Sequence, residues 1–297
     1  MTTSLRATGR SGMGERHDKG WTGATPSMAD SPRSAAGGQP RMLIMDVCGA
    51  YLRPLGGWAP IAKFVQLMNE LGVDEPATRS ALARMRERDL LEPERRHGVR
   101  GLRLTDKAMP LLAESDQRIF SHSLPARLAD GWVLVSFSIP EQERAKRHLL
   151  RSKLSWLGFG LLGNGLWMAP RRNAPDLAKA IEELGYEQYV MTFEATYTGF
   201  EELAQLVRRA WNLDELATLY REFLEWATPV AEGRATGRQA FVDYTLSIYH
   251  WRKFPYLDPA LPAELLPDDW PGRPAAALFA ELRARLELPA LEYVRST

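Results

Sequence analysis

Cysteine is almost absent from this sequence: Cys48 is the only one in 297 residues, so no disulfide can form within one chain. It lies in an apolar run, MLIMDVCGAYL, and reads as a buried structural thiol rather than a nucleophile. An excess of one charge is also missing. Lys and Arg number 38 against 37 Asp and Glu, so a nucleic-acid partner can be argued only from local clusters. No segment approaches the roughly 18 to 20 apolar residues that a membrane helix needs, and the chain reads as a soluble, cytoplasmic protein. Residues 1–41 have neither apolar periodicity nor the continuous apolar stretch of a signal peptide, and read as a disordered tail or a misassigned start. His122 and His148 have no ligand partners at metal spacing, so no metal and no resident cofactor is assigned.

What is present is a globular composition, 45% hydrophobic with nine tryptophans, in a chain long enough for two or three domains. Residues 42–52 carry apolar positions at helical spacing, and Gly56-Gly57 breaks the chain after them. A second amphipathic helix is expected from Trp58 to Leu71, with Ile61, Val65 and Met68 on one face and Gly72 as its stop. Asp74 is placed as an N-cap and Pro76 in the first turn of a third helix, whose apolar side is Ala77, Ala81, Leu82 and Met85. Leu90-Leu91 and Leu102–Leu104 read as short strands around a Gly-containing loop, and Asp106 opens a fourth helix reaching about Phe120.

Three helices, a hairpin and a fourth helix in some 80 residues is the order of a winged helix-turn-helix. In that fold the third helix enters the major groove with its N-terminal half facing base edges. Thr78, Arg79 and Ser80 occupy that half, with Arg84 a turn later; arginine suits bidentate contact with guanine, and Thr or Ser suits base or phosphate. Arg95, Arg96 and Arg100 fall where a wing meets phosphates. From 79 to 103 eight arginines face four acids (Glu87, Asp89, Glu92 and Glu94), a local excess in a chain near neutrality. Arg86 and Arg88 are read as part of a solvated, ion-paired face.

Residues 132–140 form a strand ending at Pro140, 141–156 a basic helix, 157–162 and 165–170 a hairpin around Gly163-Asn164, 174–184 a helix and 187–193 a closing strand. That is the ferredoxin-like order, which does not by itself name a function. Small CRISPR-associated nucleases with this order carry a metal-binding aspartate at the end of the first strand; here the residues are SFSIP, without one. The basic helix (Arg144, Lys146, Arg147, Arg151 and Lys153) is read as a solvated face. Helices are expected over 200–207, 213–226, 241–251 and 275–286, with 228–238 as a loop or junction. His250, Arg252 and Asp258 lack a nucleophile or metal partner, and the glycines at 158, 160, 163 and 165 lack the strand-to-helix context of a phosphate loop. No catalytic residue is assigned, and the chain reads as a non-enzyme.

From about residue 42 to 290 the chain resembles the PaaX family of bacterial repressors of phenylacetic acid catabolism. The resemblance is carried by DEPATRSALARMRERDLLEPER, WVLVSFSIPEQER, SKLSWLGFGLLGNGLWMAPR, RRAWNLDELATLYREFLEW and YHWRKFPYLDPALPAELLPDDWPGRPAAALF, in that order. It implies an α+β multidomain protein: a winged helix-turn-helix at 42–122, a ferredoxin-like domain at 130–195 and a helical C-terminal domain at 198–297 for effector binding and dimerisation. It also implies a homodimeric repressor on palindromic double-stranded operator DNA, released by an aryl-CoA thioester such as phenylacetyl-CoA. The tail before residue 42 lies outside the family pattern.

An aryl-CoA needs an apolar slot for the ring and cations for the phosphates. The helical region offers Trp211, Tyr220, Trp226, Tyr249, Trp251, Phe254, Tyr256 and Trp270, with Arg208, Arg209, Arg252, Lys253 and Arg273 nearby. Each aromatic taken singly reads as core. Trp211, Trp251 and Arg252 are the candidate effector residues. Two other readings stand beside the repressor: a partner-binding adaptor that uses the winged helix for protein contact, and a metal-dependent nuclease built on the middle region.

Overall fold

The computed structural model describes residues 40–120, 126–163 and 165–297. Residues 1–39 of the tail expected at 1–41, His122 and the Asn164 half of the expected turn lie outside the described residues; Pro40 and Arg41, also expected in that tail, instead open a helix.

The first unit runs α1 (Pro40–Val47), a π-helical turn (Cys48–Leu52), β1 (Trp58–Pro60), α2 (Ile61–Glu70), α3 (Glu75–Glu87), β2 (Leu91–Arg96), β3 (Val99–Leu104) and α4 (Ala108–Phe120). The helix expected from Trp58 begins only at Ile61. Pro60 disfavours helical backbone at the residue before it, and Trp58–Pro60 instead pair antiparallel with Arg103–Gly101, giving sheet order β1-β3-β2. Asp74 caps α3, its carboxylate accepting from the Ala77 amide at 2.7 Å. Thr78, Ala81, Leu82 and Met85 form the buried stripe of α3. The β2–β3 hairpin closes on His97-Gly98, both at positive φ (49° and 80°), the two-residue turn whose twist matches that of its strands.

The middle unit is β4 (Trp132–Phe137), α5 (Arg144–Trp156), β5 (Gly160–Gly163), β6 (Leu166–Pro170), α6 (Ala174–Leu184) and β7 (Val190–Ala195). Its sheet is antiparallel throughout, in the order β5-β6-β4-β7. Alternation divides the two faces. Val133, Val135, Trp167 and Ala169 pack with Leu150 and Leu154 of α5 and Leu177 and Ile181 of α6. Trp132 and Met168 face the other way, toward Leu206, Val207, Leu213, Leu261 and Leu265.

The last unit is α7 (Leu203–Ala210), α8 (Leu213–Glu232), α9 (Gly237–Trp251), α10 (Phe254–Leu257) and α11 (Gly272–Ser296). α9 starts at Gly237 and α7 spans Leu203–Ala210, against expected ranges of 241–251 and 200–207, while α8 and α11 each run on through a proline beyond their expected ends. α8 continues past Trp226 through Pro229, and Arg285 donates to the terminal carbonyls of Val230 (2.8 Å) and Ala231, satisfying acceptors that the helix end leaves open. α11 continues through Pro289 because Leu286, Ala290 and Val294 prolong its buried stripe.

The N-terminal unit and these helices share one core, which runs from Leu43 to Ile119 and resumes from Leu216 to Val294. Buried polar contacts cross it. Tyr51 and Thr245 share a hydrogen bond of 2.8 Å, and the Trp251 indole donates to the Ile119 carbonyl at 3.2 Å.

Candidate nucleic-acid interface

With one stripe of α3 buried, the opposite stripe is fixed in the open. Arg79, Ser80 and Arg84 are exposed there, with Arg86 and Arg88 one turn on. Arg79 donates to Glu75 at 2.6 Å, an exposed i,i+4 pair worth a few tenths of a kcal/mol, about 0.3–0.5, and readily exchanged for another anion. Among the described residues Arg84, Arg86 and Arg88 form no ion pair. Arg41, in the first turn of α1, comes close enough to Arg88 and Arg84 to feel both; burial first, then Arg88, Arg252 and Arg84, lower its pKa. It therefore adds a cation to the α3 surface. Its place between a polar tail and an apolar run gave no sequence signal.

Thr78 must be removed from the reading set. It is fully buried and its hydroxyl donates to the Asp74 carbonyl at 2.9 Å, so it fastens the helix start and cannot reach a base. The helical phase that exposes Arg79 and Ser80 turns Thr78 inward.

The hairpin arginines lie in the strands rather than in a loop, and alternation sorts them onto two faces. On one face, around Trp58, Arg96 and Arg103 neutralise Glu92 and Glu94. Arg96 Nε donates to Glu94 at 2.7 Å and its guanidinium lies 5.3 Å from the Trp58 ring centre. Arg103 pairs with both Glu92 and Glu94. The Glu94 carboxyl is held below its usual pKa by the hydrogen bond from Arg96. Trp58, unmarked in sequence, is the centre of this face: its indole donates to the Glu94 carbonyl at 3.4 Å and lies over Gly101. Arg96 is thus turned away from Arg95 and Arg100.

On the other face Arg95 and Arg100 are direct cross-strand partners, both exposed. The flanking Arg96–Val99 pair closes the two-residue turn, so Arg95–Arg100 is the next pair, the kind in which side chains stand closest. Like charges placed opposite each other destabilise a hairpin unless an anion joins them. Neither arginine forms an ion pair among the described residues; Arg95 makes a long hydrogen bond, 3.4 Å, to the Gly98 carbonyl.

The three candidate effector residues do not converge. Trp251 is core, 6% exposed, with its ring stacked on Phe279 at 4.8 Å. Arg252 is committed to Asp46 of α1 at 3.2 Å. Trp211 sits apart, donating to the Gly158 carbonyl at 3.0 Å and covering Gly160 of β5. All three are therefore packing or joining residues. A groove of about 330 Å³ does open nearby, between Arg208, Thr218, Arg221 and Trp270, and none of the three lines it. Among the described residues no three His, Cys, Asp or Glu side chains gather as a metal site, and no helix is long and apolar enough to cross a membrane.

Three family models match in succession: PaaX-like protein over residues 39–108, the PaaX protein central Cas2-like domain over 125–207, and the PaaX-like protein C-terminal domain over 211–296. The chain is 28% identical over 261 residues to the transcriptional repressor PaaX of Escherichia coli (strain K12), an alignment covering 85% of this chain and 82% of that protein. Its fold is shared with the uncharacterised protein Rv0674 from Mycobacterium tuberculosis (TM-score 0.59, 22% identity, covering 86% of this chain and 99% of that one). With all three parts matched in order across nearly the whole described chain, the protein belongs to the PaaX family and is a non-enzymatic transcriptional regulator.

Proposed function

We propose that the protein is a homodimeric repressor of a phenylacetate-type catabolic operon, acting in the cytoplasm and released from its operator by an aryl-CoA thioester. The observation that carries its DNA contact is the pair of unneutralised arginine clusters. Ser80 and Arg84 stand on the open stripe of α3, and Arg95 and Arg100 stand side by side at the hairpin tip. In this reading residues 42–122 are a winged helix-turn-helix, with α3 in the major groove, Arg79, Ser80 and Arg84 at base edges, and the hairpin as a wing clamping a phosphate between Arg95 and Arg100. Residues 130–195 are a ferredoxin-like domain; a βαββαβ chain with sheet order β5-β6-β4-β7 supports it. The repressor function of the Escherichia coli relative supports the same conclusion.

Control by a ligand requires two arrangements that the ligand binds unequally. Residues 198–297 share a core with the first unit, so an effector held there acts on the DNA-reading surface without touching DNA. The test is fluorescence anisotropy on duplex DNA from upstream of the protein's own gene, at two salt concentrations, titrated with phenylacetyl-CoA or phenylacetate. Salt-sensitive binding reversed by the thioester alone is the expected result. No binding to that or neighbouring promoters would favour the adaptor reading, whose apolar partner interface would lack the steep salt dependence of phosphate contacts.

A further inference from the structure

The middle sheet has two edges, and the fold treats them differently. At β5 the strand is short, its pairing with β6 shifts at Leu161/Gly163, and Trp211 together with the Ala210 carbonyl at the end of α7 closes over Gly160. These are ordinary means of protecting an edge. At β7 none of them is present. The strand pairs with β4 in unbroken register over all six residues, contains no Pro or Lys, and among the described residues has no further strand beyond it. Met191 and Phe193 point outward at 55% and 54% exposure on the sheet face that β4 buries elsewhere through Trp132.

We propose that this edge is covered by the β7 edge of a second copy of the chain, the two strands running antiparallel about a two-fold axis at Thr192. This names the surface for the dimer of the preceding reading and rests on that reading. The strand is complementary to itself in this register. A two-fold axis perpendicular to the sheet keeps side chains on their own face, so residues of like parity meet. With Thr192 opposite Thr192 of the second copy, Met191 lies opposite Phe193, and Phe193 opposite Met191. Four apolar side chains then form one patch, with sulfur against aromatic ring twice over. Charge agrees. The strand's single ionised residue, Glu194, is already paired with Arg171 of its own protomer at 2.8 Å, and in this register it lies opposite Val190, so no like charges meet. The result is an eight-stranded sheet with no exposed apolar edge.

The test combines sedimentation equilibrium on the full-length protein with cross-linking. Phe193→Lys is expected to weaken the dimer at least tenfold, and so is Met191→Glu. The double variant should recover most of the loss, because opposite charges then face each other twice across the axis. Thr192→Cys should give a covalent dimer on mild oxidation. Buried Cys48, whose thiol is pushed up to about 12, is unreactive in the parent chain. A dimer indifferent to both single variants, or losses that simply add in the double variant, overturns the interface; so does a monomeric wild-type protein. A dimer abolished by deleting residues 1–38 with β7 intact would assign the contact to the tail instead and likewise overturn it. Circular dichroism of each variant separates dissociation from unfolding. These readouts use no DNA, so failure of the repressor reading, seen as no operator binding by an intact dimer, remains distinct.

Discussion

Arg252, at the end of α9, donates from one guanidinium nitrogen to both carboxylate oxygens of Asp46 in α1, at 3.2 and 3.3 Å. Both side chains are nearly buried, at 13% and 6% exposure. Removing one member leaves a charge stranded in the interior, so Arg252→Ala should cost about 3–5 kcal/mol in urea denaturation. A loss below ~1 kcal/mol would show that water reaches Asp46.

The same pair gives a pH signature. Burial raises Asp46 to about 6, against the pull of Arg252, while burial and then Lys253 lower His250 to about 4. Between pH 4 and 6 the native state holds more protons at Asp46 than the unfolded chain does, so that group's contribution falls as pH rises. At His250 the unfolded chain holds more, so its contribution rises with pH up to about 6.5 and is fully present above it. The two oppose each other, each by about 3 kcal/mol at 1.36 kcal/mol per unit. Asp46→Asn should therefore make stability climb more steeply from pH 4.5 to 6.5 than in wild type. Parallel stability curves from denaturation at several pH values would exclude this origin.

Gly101 is required by its neighbours. A Cβ there would stand 2.5 Å from the Ala59 carbonyl oxygen and 2.6 Å from the Trp58 ring. Gly101→Ala should push β1 off β3 and cost at least about 1–3 kcal/mol, the usual penalty for overpacking, read as a lower urea midpoint. Trp58→Ala with Gly101→Ala should recover only the ring part of that loss, because the carbonyl clash remains.

On the hairpin the two faces should behave differently. Arg95→Ala and Arg100→Ala should each weaken binding to operator and random DNA alike, and lower the slope of log K against log salt by roughly 0.9 per contact. Arg96→Ala, which removes a partner of Glu94 and Trp58, should lower hairpin stability and leave that slope unchanged. A flattened slope for Arg96→Ala would mean that its pairing opens on DNA.

Arg79→Ala and Arg84→Ala should each cost about 1–3 kcal/mol on operator DNA and much less on random DNA. Equal losses on both would move the residue to a phosphate contact. Thr78→Ser, a buried change that keeps the hydroxyl, should leave operator discrimination unaltered.

Much of the N-terminal unit was legible because its signals are local. Asp74 and Pro76 marked the start of α3, and the 3.6-residue period found its buried side. Thr78 was misjudged because a polar residue at the edge of an apolar stripe looks like surface until the phase is fixed. Arg95, Arg96 and Arg100 were rightly grouped on the hairpin, but their division between faces depends on a register set by the His97-Gly98 turn. The C-terminal aromatics were harder. Trp251 and Arg252 looked available because their partners, Ile119, Phe279 and Asp46, are distant in sequence, and no local pattern announces a neighbour so far along the chain.

That shared core also sets the timing of synthesis. Tyr51 finds its hydroxyl partner Thr245 only 194 residues later, and Glu70 accepts from Tyr293, which lies 223 residues on. At roughly 5–20 residues per second, α1 and its π-helical turn wait on the order of ten seconds or more after leaving the ribosome before α9 and α11 arrive to cover them. The middle unit, whose own core closes between residues 133 and 186, can be finished by then. The first unit thus begins with the earliest of the described residues to be made, and is among the last parts of the protein to be completed.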